Sequence, residues 1–178
     1  MAEQDGETQG AGPQEQFTNG ADNTPQAGLI SQYVKDLSFE NPNSPAVYQW
    51  NEQPRVDVQF NIGSQRVGED FHEVLLKLEV TATAPTENKT AFAVELTYAG
   101  LFGIRNVPEE QIQPFLLTEA PRLIFPFARR VLADAVRDGG FQPLLLDPID
   151  FNALYAHQAT SMTGTGGEEI SFEPSGQA

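Results

Sequence analysis

"TAFAVELTYAGLFGI", residues 90–104, alternates apolar with polar or small side chains along most of its length. Successive side chains of a strand point to opposite faces. Phe92, Val94, Leu96 and Tyr98 therefore share one face, and Ala91, Ala93, Glu95 and Thr97 the other. One face suits a core and the other suits water, the pattern of an antiparallel sheet covered on one side. Three upstream stretches carry the same period. "RVDVQFNI" (55–62) groups Val56, Val58, Phe60 and Ile62, and "FHEVLLKLEVTATA" (71–84) groups Val74, Leu76, Leu78, Val80 and Ala82. "YVKDLSFE" (33–40) sends Tyr33, Leu37 and Phe39 to one face and Val34, Asp36, Ser38 and Glu40 to the other. Between these, "NPNSPAVYQW" (41–50) reads as a crossover loop and "PTENK" (85–89) as a turn.

Helices follow the strands. "PEEQIQPFL" opens with Pro108 and two glutamates, which suit a helix N-terminus. The main helix is predicted from about Pro121 to Asp138, closed by Gly139-Gly140. Pro126 in its interior removes one backbone bond and predicts a bend. Leu123, Ile124, Phe127, Ala128, Val131 and Ala135 form a broad apolar stripe, with Arg130, Asp134 and Asp138 as a solvated edge. Asp150 can cap a last helix, "FNALYAHQ", whose apolar side holds Phe151, Leu154 and Tyr155. Strands first and helices last predict an α+β fold, a four-stranded antiparallel sheet with helices on one face.

The 178 residues suit one domain with tails. Residues 1–28 hold five acids and no base, and 157–178 hold three acids and no base. Such segments bury too little apolar surface to offset ordering entropy, so both are read as disordered, leaving 29–156 as the folded domain. The net charge is −15, and the folded part keeps 17 of the 25 acids against all 10 bases. That balance disfavours nucleic acid and anionic lipid as partners and favours basic proteins or peptides. There is no cysteine, hence no disulfide framework or thiolate metal site. The first ten residues lack the basic and apolar regions of a secretory signal, and no run approaches 18 apolar residues, so the cytosol is the expected compartment. More apolar surface is present than one helix layer can cover. Val94, Leu96 and Tyr98, with Leu123, Ile124, Phe127 and Val131, predict self-association, an apolar groove, or both.

Catalytic machinery is scarce. His72 and His157 stand apart without metal-ligand spacing, and neither a P-loop nor a G-x-S-x-G is present. "GTGG" (164–167) lacks the lysine of a phosphate loop. The remaining candidates are carboxylates, Asp36 with Glu40 and Glu95 on a matching face. Placed opposite the core-forming side chains they should be wet and ionised, which suits a surface or a docking site better than an acid–base pair. No enzyme activity, cofactor or metal is expected.

"YVKDLSFENPNSP", "TAFAVELTYAGLFGI" and "EAPRLIFPFARRVLADAVRDGGFQPLLLDPIDFNALY" together resemble the SecB family of bacterial protein-export chaperones, in the right order and across about 29–156. The resemblance implies an ATP-independent holdase that keeps preproteins unfolded in the cytosol and delivers them to the motor ATPase SecA. It also implies a homotetramer, a dimer of dimers, with main helices at the interface. By motif, the SecA-docking residues fall on Asp36, Glu40, Ala93 and Glu95, facing SecA's basic, zinc-containing C-terminal segment. Ala93 departs from the larger aliphatic residue of the family pattern. The client groove falls on Tyr48, Trp50, Val56, Val58 and Phe60, with Phe151, Leu154 and Tyr155. Two other readings stand beside this one: a related chaperone dedicated to one partner such as an antitoxin, and a small acid–base enzyme built on Asp36, Glu40 and Glu95.

Overall fold

In the computed structural model, which describes residues 23–161 and 170–172, the strand at the heart of the sequence pattern lies inside a sheet and is paired on both sides. The strands are β1 (Gln26–Glu40), β2 (Arg55–Arg66), β3 (Phe71–Thr83), β4 (Thr90–Arg105) and β5 (Ile170–Phe172), in the spatial order β1-β4-β3-β2-β5. Every pairing is antiparallel. The helices are α1 (Glu109–Leu117), α2 (Glu119–Asp138) and α3 (Phe151–Ser161). The four expected strands are all present. The short fifth strand is an addition, and α3 runs past the expected boundary at 156. The segment read as a tail from 157 thus supplies the end of a helix and an edge strand. Most of the acidic N-terminal segment, residues 1–22, lies outside the described residues, as do 162–169 and 173–178.

Helix α2 lies across β4, β3 and β1 on one face of the sheet. It meets that face through Ile124, Ala128, Leu132 and Val136, each wholly buried. Beneath them Val74, Leu76, Leu78, Val94, Leu96 and Phe102 are at most 1% exposed. Fully burying a side chain of this size is worth about 1.5–3 kcal/mol, so this layer is the main source of stability. A Cβ on Gly100 would stand 2.9 Å from the Ile124 side chain, so a glycine is needed where helix and β4 touch.

The expected apolar stripe of α2 divides in two. Neighbouring residues on a helix are about 100° apart, so Leu123 and Ile124 cannot share a narrow face. Ile124 and Ala128 face the sheet, while Leu123 (44% exposed) and Phe127 (41%) face outward. Val94, Leu96, Tyr98 and Ile124, expected at an interface between subunits, are core residues of this one. The helix runs unbroken through Pro126.

Strand β1 also departs from simple alternation. Its register against β4 slips between Leu29 and Ser31 and again between Val34 and Asp36, leaving Ile30 and Lys35 as extra residues. Beyond Lys35 the expected faces hold, with Leu37 opposite Leu96 and Phe39 opposite Val94 on the helix side. Before it they invert. Tyr33 pairs with Ala99 on the open face and Val34 with Tyr98 on the helix side, the reverse of the expectation.

The C-terminal end of α2 anchors the crossover loop. Phe141 N–H donates to Val136 O and Gly140 N–H to Arg137 O, with Gly140 at φ 86°, a left-handed helix stop. Tyr48 donates its hydroxyl to Gly139 O at 2.8 Å, and Phe39, Phe92, Phe141 and Tyr48 form a chain of ring contacts around it. A Cβ on Gly139 would fall 2.0 Å from the Phe39 ring. Gly139→Ala should therefore force this cluster apart and cost about 1–3 kcal/mol, the usual range for overpacking. Urea unfolding of the variant should give a lower midpoint at unchanged slope.

Candidate functional site

The open face is built by three strands in register. Asp36, Ser38 and Glu40 of β1 stand opposite Thr97, Glu95 and Ala93 of β4, so the four docking candidates are brought together as expected. Asp36, Glu40 and Glu95 are exposed and Ala93 is half-buried. On the next strand Lys77 pairs with Thr97 and Glu79 with Glu95. Two glutamates directly across from each other repel. Lys77 relieves this by holding Glu79 Oε1 at 2.5 Å. Its ammonium is pushed above the ordinary lysine range first by that hydrogen bond and the charge of Glu79, then by the charges of Glu95 and Asp36. Three carboxylates, those of Glu79, Glu95 and Asp36, thus act on one ammonium. Glu79 was not among the sequence candidates, although the alternation that buries Leu78 and Val80 already placed it on this face.

Further along the same face lies a carboxylate of a different kind. Glu73 is only 5% exposed. Its carboxylate accepts from the Tyr33 hydroxyl at 2.6 Å, from Lys35 Nζ at 2.7 and 2.9 Å, and from Gln65 Nε2 at 2.5 Å. Burial pushes its pKa up, but the hydrogen bonds from Lys35, Tyr33 and Gln65 and the charge of Lys35 outweigh that and hold it below the ordinary glutamate range. The same contact pushes the Tyr33 hydroxyl up. This clamp ties β1, β3 and β2 together across β4. Nothing in the local sequence marks it, because its members are up to 40 positions apart.

On the helix side the expected groove residues fall into three groups. Phe60 and Phe151 are core, 6% and 2% exposed, with Phe151 set edge-on against Phe125 at 5.8 Å. They are not open to a client in this state, a correction to the sequence reading. Trp50, Val58 and Leu154 pack partly buried against the core, and Tyr155 is half-buried. Tyr48 (51%) and Val56 (40%) are exposed. The sequence reading missed the linker between α2 and α3, where Phe141, Leu144, Leu146 and Ile149 pack on the core while Leu145 is 66% exposed. Three consecutive leucines between Pro143 and Asp147 did signal a stretch that packs on the core, but which of them faces out is set by the packing.

The three carboxylates of the acid–base reading lie on an open sheet face, not in a closed apolar cleft. Among the described residues no cluster of His, Asp or Glu is placed to hold a metal, and no helix is long and apolar enough to cross a membrane.

The family model described as preprotein translocase subunit SecB matches residues 20–162. The chain belongs to the SecB family. The protein-export protein SecB of Rhizorhabdus wittichii is 61% identical over 94% of this chain and 97% of its own. Those of Sphingopyxis alaskensis and Zymomonas mobilis are 63% and 56% identical over 82% and 88% of this chain, and over 84% and 92% of theirs. The function is accordingly that of a preprotein-export chaperone. A solved SecB-like chaperone of Mycobacterium tuberculosis, in complex with an antitoxin peptide, superposes with a TM-score of 0.58 over 69% of this chain and 90% of its own. At 13% identity that likeness concerns the fold.

The Glu73 clamp gives a pH test in this SecB-family fold. Its folded-state pKa is depressed, so its stabilisation is present above the unfolded value of about 4.3 and is lost as pH falls toward the folded value. Glu73→Gln should lower stability at pH 7 by about 1.5–3 kcal/mol, the usual range for hydrogen bonds to a charged group. Its unfolding free energy should then fall less steeply than the parent's between about pH 5 and 3. Denaturant titrations across that range check both.

Proposed function

We propose that the chain holds unfolded preproteins in the bacterial cytosol without nucleotide, assembles as a homotetramer, and hands its clients to SecA. The observation that carries this reading is the two-sidedness of the sheet, with clustered carboxylates on one face and incompletely covered apolar side chains on the other.

The acidic face suits the basic, zinc-containing C-terminal segment of SecA. Asp36, Glu40 and Glu95, joined by Glu79, supply the charge, and Ala93 supplies a small apolar floor between them. An exposed cluster of this kind gives salt-dependent attraction and a fast approach more than deep burial. The client surface comprises Tyr48 and Val56, with Trp50, Val58, Leu154 and Tyr155 at their margin. Phe60 and Phe151 would join only if α3 and the 141–150 linker moved off the core. Each apolar client side chain buried there contributes about 1.5–3 kcal/mol before ordering costs. Several copies of the groove on one assembly add avidity without sequence preference. For the assembly itself the outward stripe of α2, Leu123 and Phe127 with half-buried Val131, is available. Val34 and Leu37 of β1, both 43% exposed and on the same side of the sheet, extend it.

Two variants separate these surfaces. Asp36→Lys combined with Glu40→Lys should weaken binding to the SecA C-terminal segment at least tenfold at low salt. It should leave aggregation suppression of a refolding preprotein, assayed without nucleotide, unchanged. Loss of both activities in a variant with native circular dichroism would show that the two surfaces are not distinct.

Phe127→Glu should lower the mass seen by sedimentation from tetramer to dimer or monomer while the subunit stays folded, since an exposed residue bears little on its stability. A parent chain that sediments as a 19.5 kDa monomer at micromolar concentration would defeat the tetramer.

A further inference from the structure

Lys35 and Asp36 are neighbours in sequence, and regular alternation would send them to opposite faces of the sheet. The bulge in β1 changes this. Val34 pairs with Tyr98 and Asp36 with Thr97, consecutive positions of β4, so Lys35 is the extra residue. Its ammonium lies on the open face, 2.7 and 2.9 Å from the Glu73 carboxylate oxygens. Asp36 stands on that same face, against Thr97. A lysine beside an aspartate on one exposed face can pair with it and offset the charge offered to a basic partner.

Glu73 keeps the two apart. Its side chain is 7% exposed against 43% for that of Lys35, so the carboxylate is fixed and the lysine comes to it. Leaving a buried carboxylate without donors costs more than an exposed pair returns, whereas exposed Asp36 is satisfied by water. Burial thus decides which of two carboxylates takes the lysine. The donors also hold the Glu73 pKa below the ordinary glutamate range, so the carboxylate stays ionised at neutral pH.

The site does not suit a neutral amide. Among the described residues, the Tyr33 hydroxyl, the Lys35 ammonium and the Gln65 amide nitrogen all donate to Glu73. A carboxylate accepts from all of them, but an amide brings N–H donors of its own against donors. One partner must then leave. Lys35 is well exposed and on a flexible stem, and the next carboxylate along its own strand is Asp36.

We propose that Glu73 is a positioning residue of the docking surface: by holding Lys35 it keeps that lysine off Asp36 and so sets the affinity of the acidic face for a basic segment. The inference rests on the SecA-docking reading above and adds to it a buried residue that the partner does not touch.

The test measures the affinity of a labelled, zinc-loaded synthetic peptide of the SecA C-terminal segment by fluorescence anisotropy at low salt. Circular dichroism and urea unfolding accompany every chain. Glu73→Gln should bind the peptide about two- to fivefold more weakly than the parent, the span of an exposed ion pair. Adding Lys35→Gln to it should restore the parent affinity without restoring the lost stability, a split that a merely structural role would not give. Asp36→Asn should weaken binding in the parent but add little in the Glu73→Gln chain, where the lysine already offsets that charge. These differences should shrink at about 1 M salt, where the screening length is about 3 Å. Should Glu73→Gln fail to fold, Lys35→Gln alone carries the test. Its affinity should stay within about twofold of the parent's, and a larger gain would show that Lys35 already offsets Asp36 and would overturn the proposal. Parent affinity in Glu73→Gln, equal weakening with and without Lys35, or additive losses for Asp36→Asn and Glu73→Gln would each overturn the positioning role while leaving docking intact. No binding by the parent, or undiminished binding by Asp36→Asn, would overturn the docking reading and this inference with it.

Discussion

A single sheet is covered on one face and bare on the other, and the packing of α2 against β3 and β4 decides which is which. Ile124, Ala128, Leu132 and Val136 close over Leu76, Leu78, Val94 and Leu96, leaving none of these eight more than 1% exposed. Gly100 permits the close approach, and the glycine stop at the end of α2 places Gly139 against Phe39 and Tyr48. Once that layer is set, the alternate positions of β3 and β4 face the other way, where the carboxylates of Glu79 and Glu95 reach water. Two surfaces of opposite chemistry then lie back to back across one sheet.

The acidity of the open face depends on a detail of β1. Lys35 sits beside Asp36 in sequence and could have neutralised it. Instead the bulge lets Lys35 reach Glu73, which is buried and also held by Tyr33 and Gln65. A buried carboxylate left without these donors would be costly, so the cluster binds its lysine firmly. Asp36 and Glu40 are left without Lys35 as a counter-charge, and Lys77 is held by Glu79. A structural ion pair thus helps to preserve the charge of a neighbouring surface that suits a basic partner.

The apolar side is less finished. Its core is closed under α2, but towards β2 and the crossover loop it is covered by a linker and a short helix, with Tyr48, Val56 and Leu145 well exposed. Elements held by fewer buried contacts open at lower cost than those at the centre of a sheet.

The sequence by itself determined the periodic elements. The alternation in β2, β3 and β4, the Gly139-Gly140 stop, and the Asp150 cap, whose Oδ1 accepts from Ala153 N–H at 3.0 Å, were all legible because each is written within one or two turns of chain. The motif order and the shared face of Asp36, Glu40, Ala93 and Glu95 were legible for the same reason. Tertiary structure decided the rest. Whether a helical apolar residue faces the sheet, as Ile124 does, or away from it, as Leu123 does, depends on where the helix is laid. The bulge that turns Tyr33 to the open face depends on the register of β4, and the burial of Glu73 depends on partners from β1 and β2. The pairing of Ile170–Phe172 with β2 depends on an edge more than a hundred residues earlier in the chain. Periodicity is a local property, whereas pairing, register and burial are set by neighbours that only the folded chain brings together.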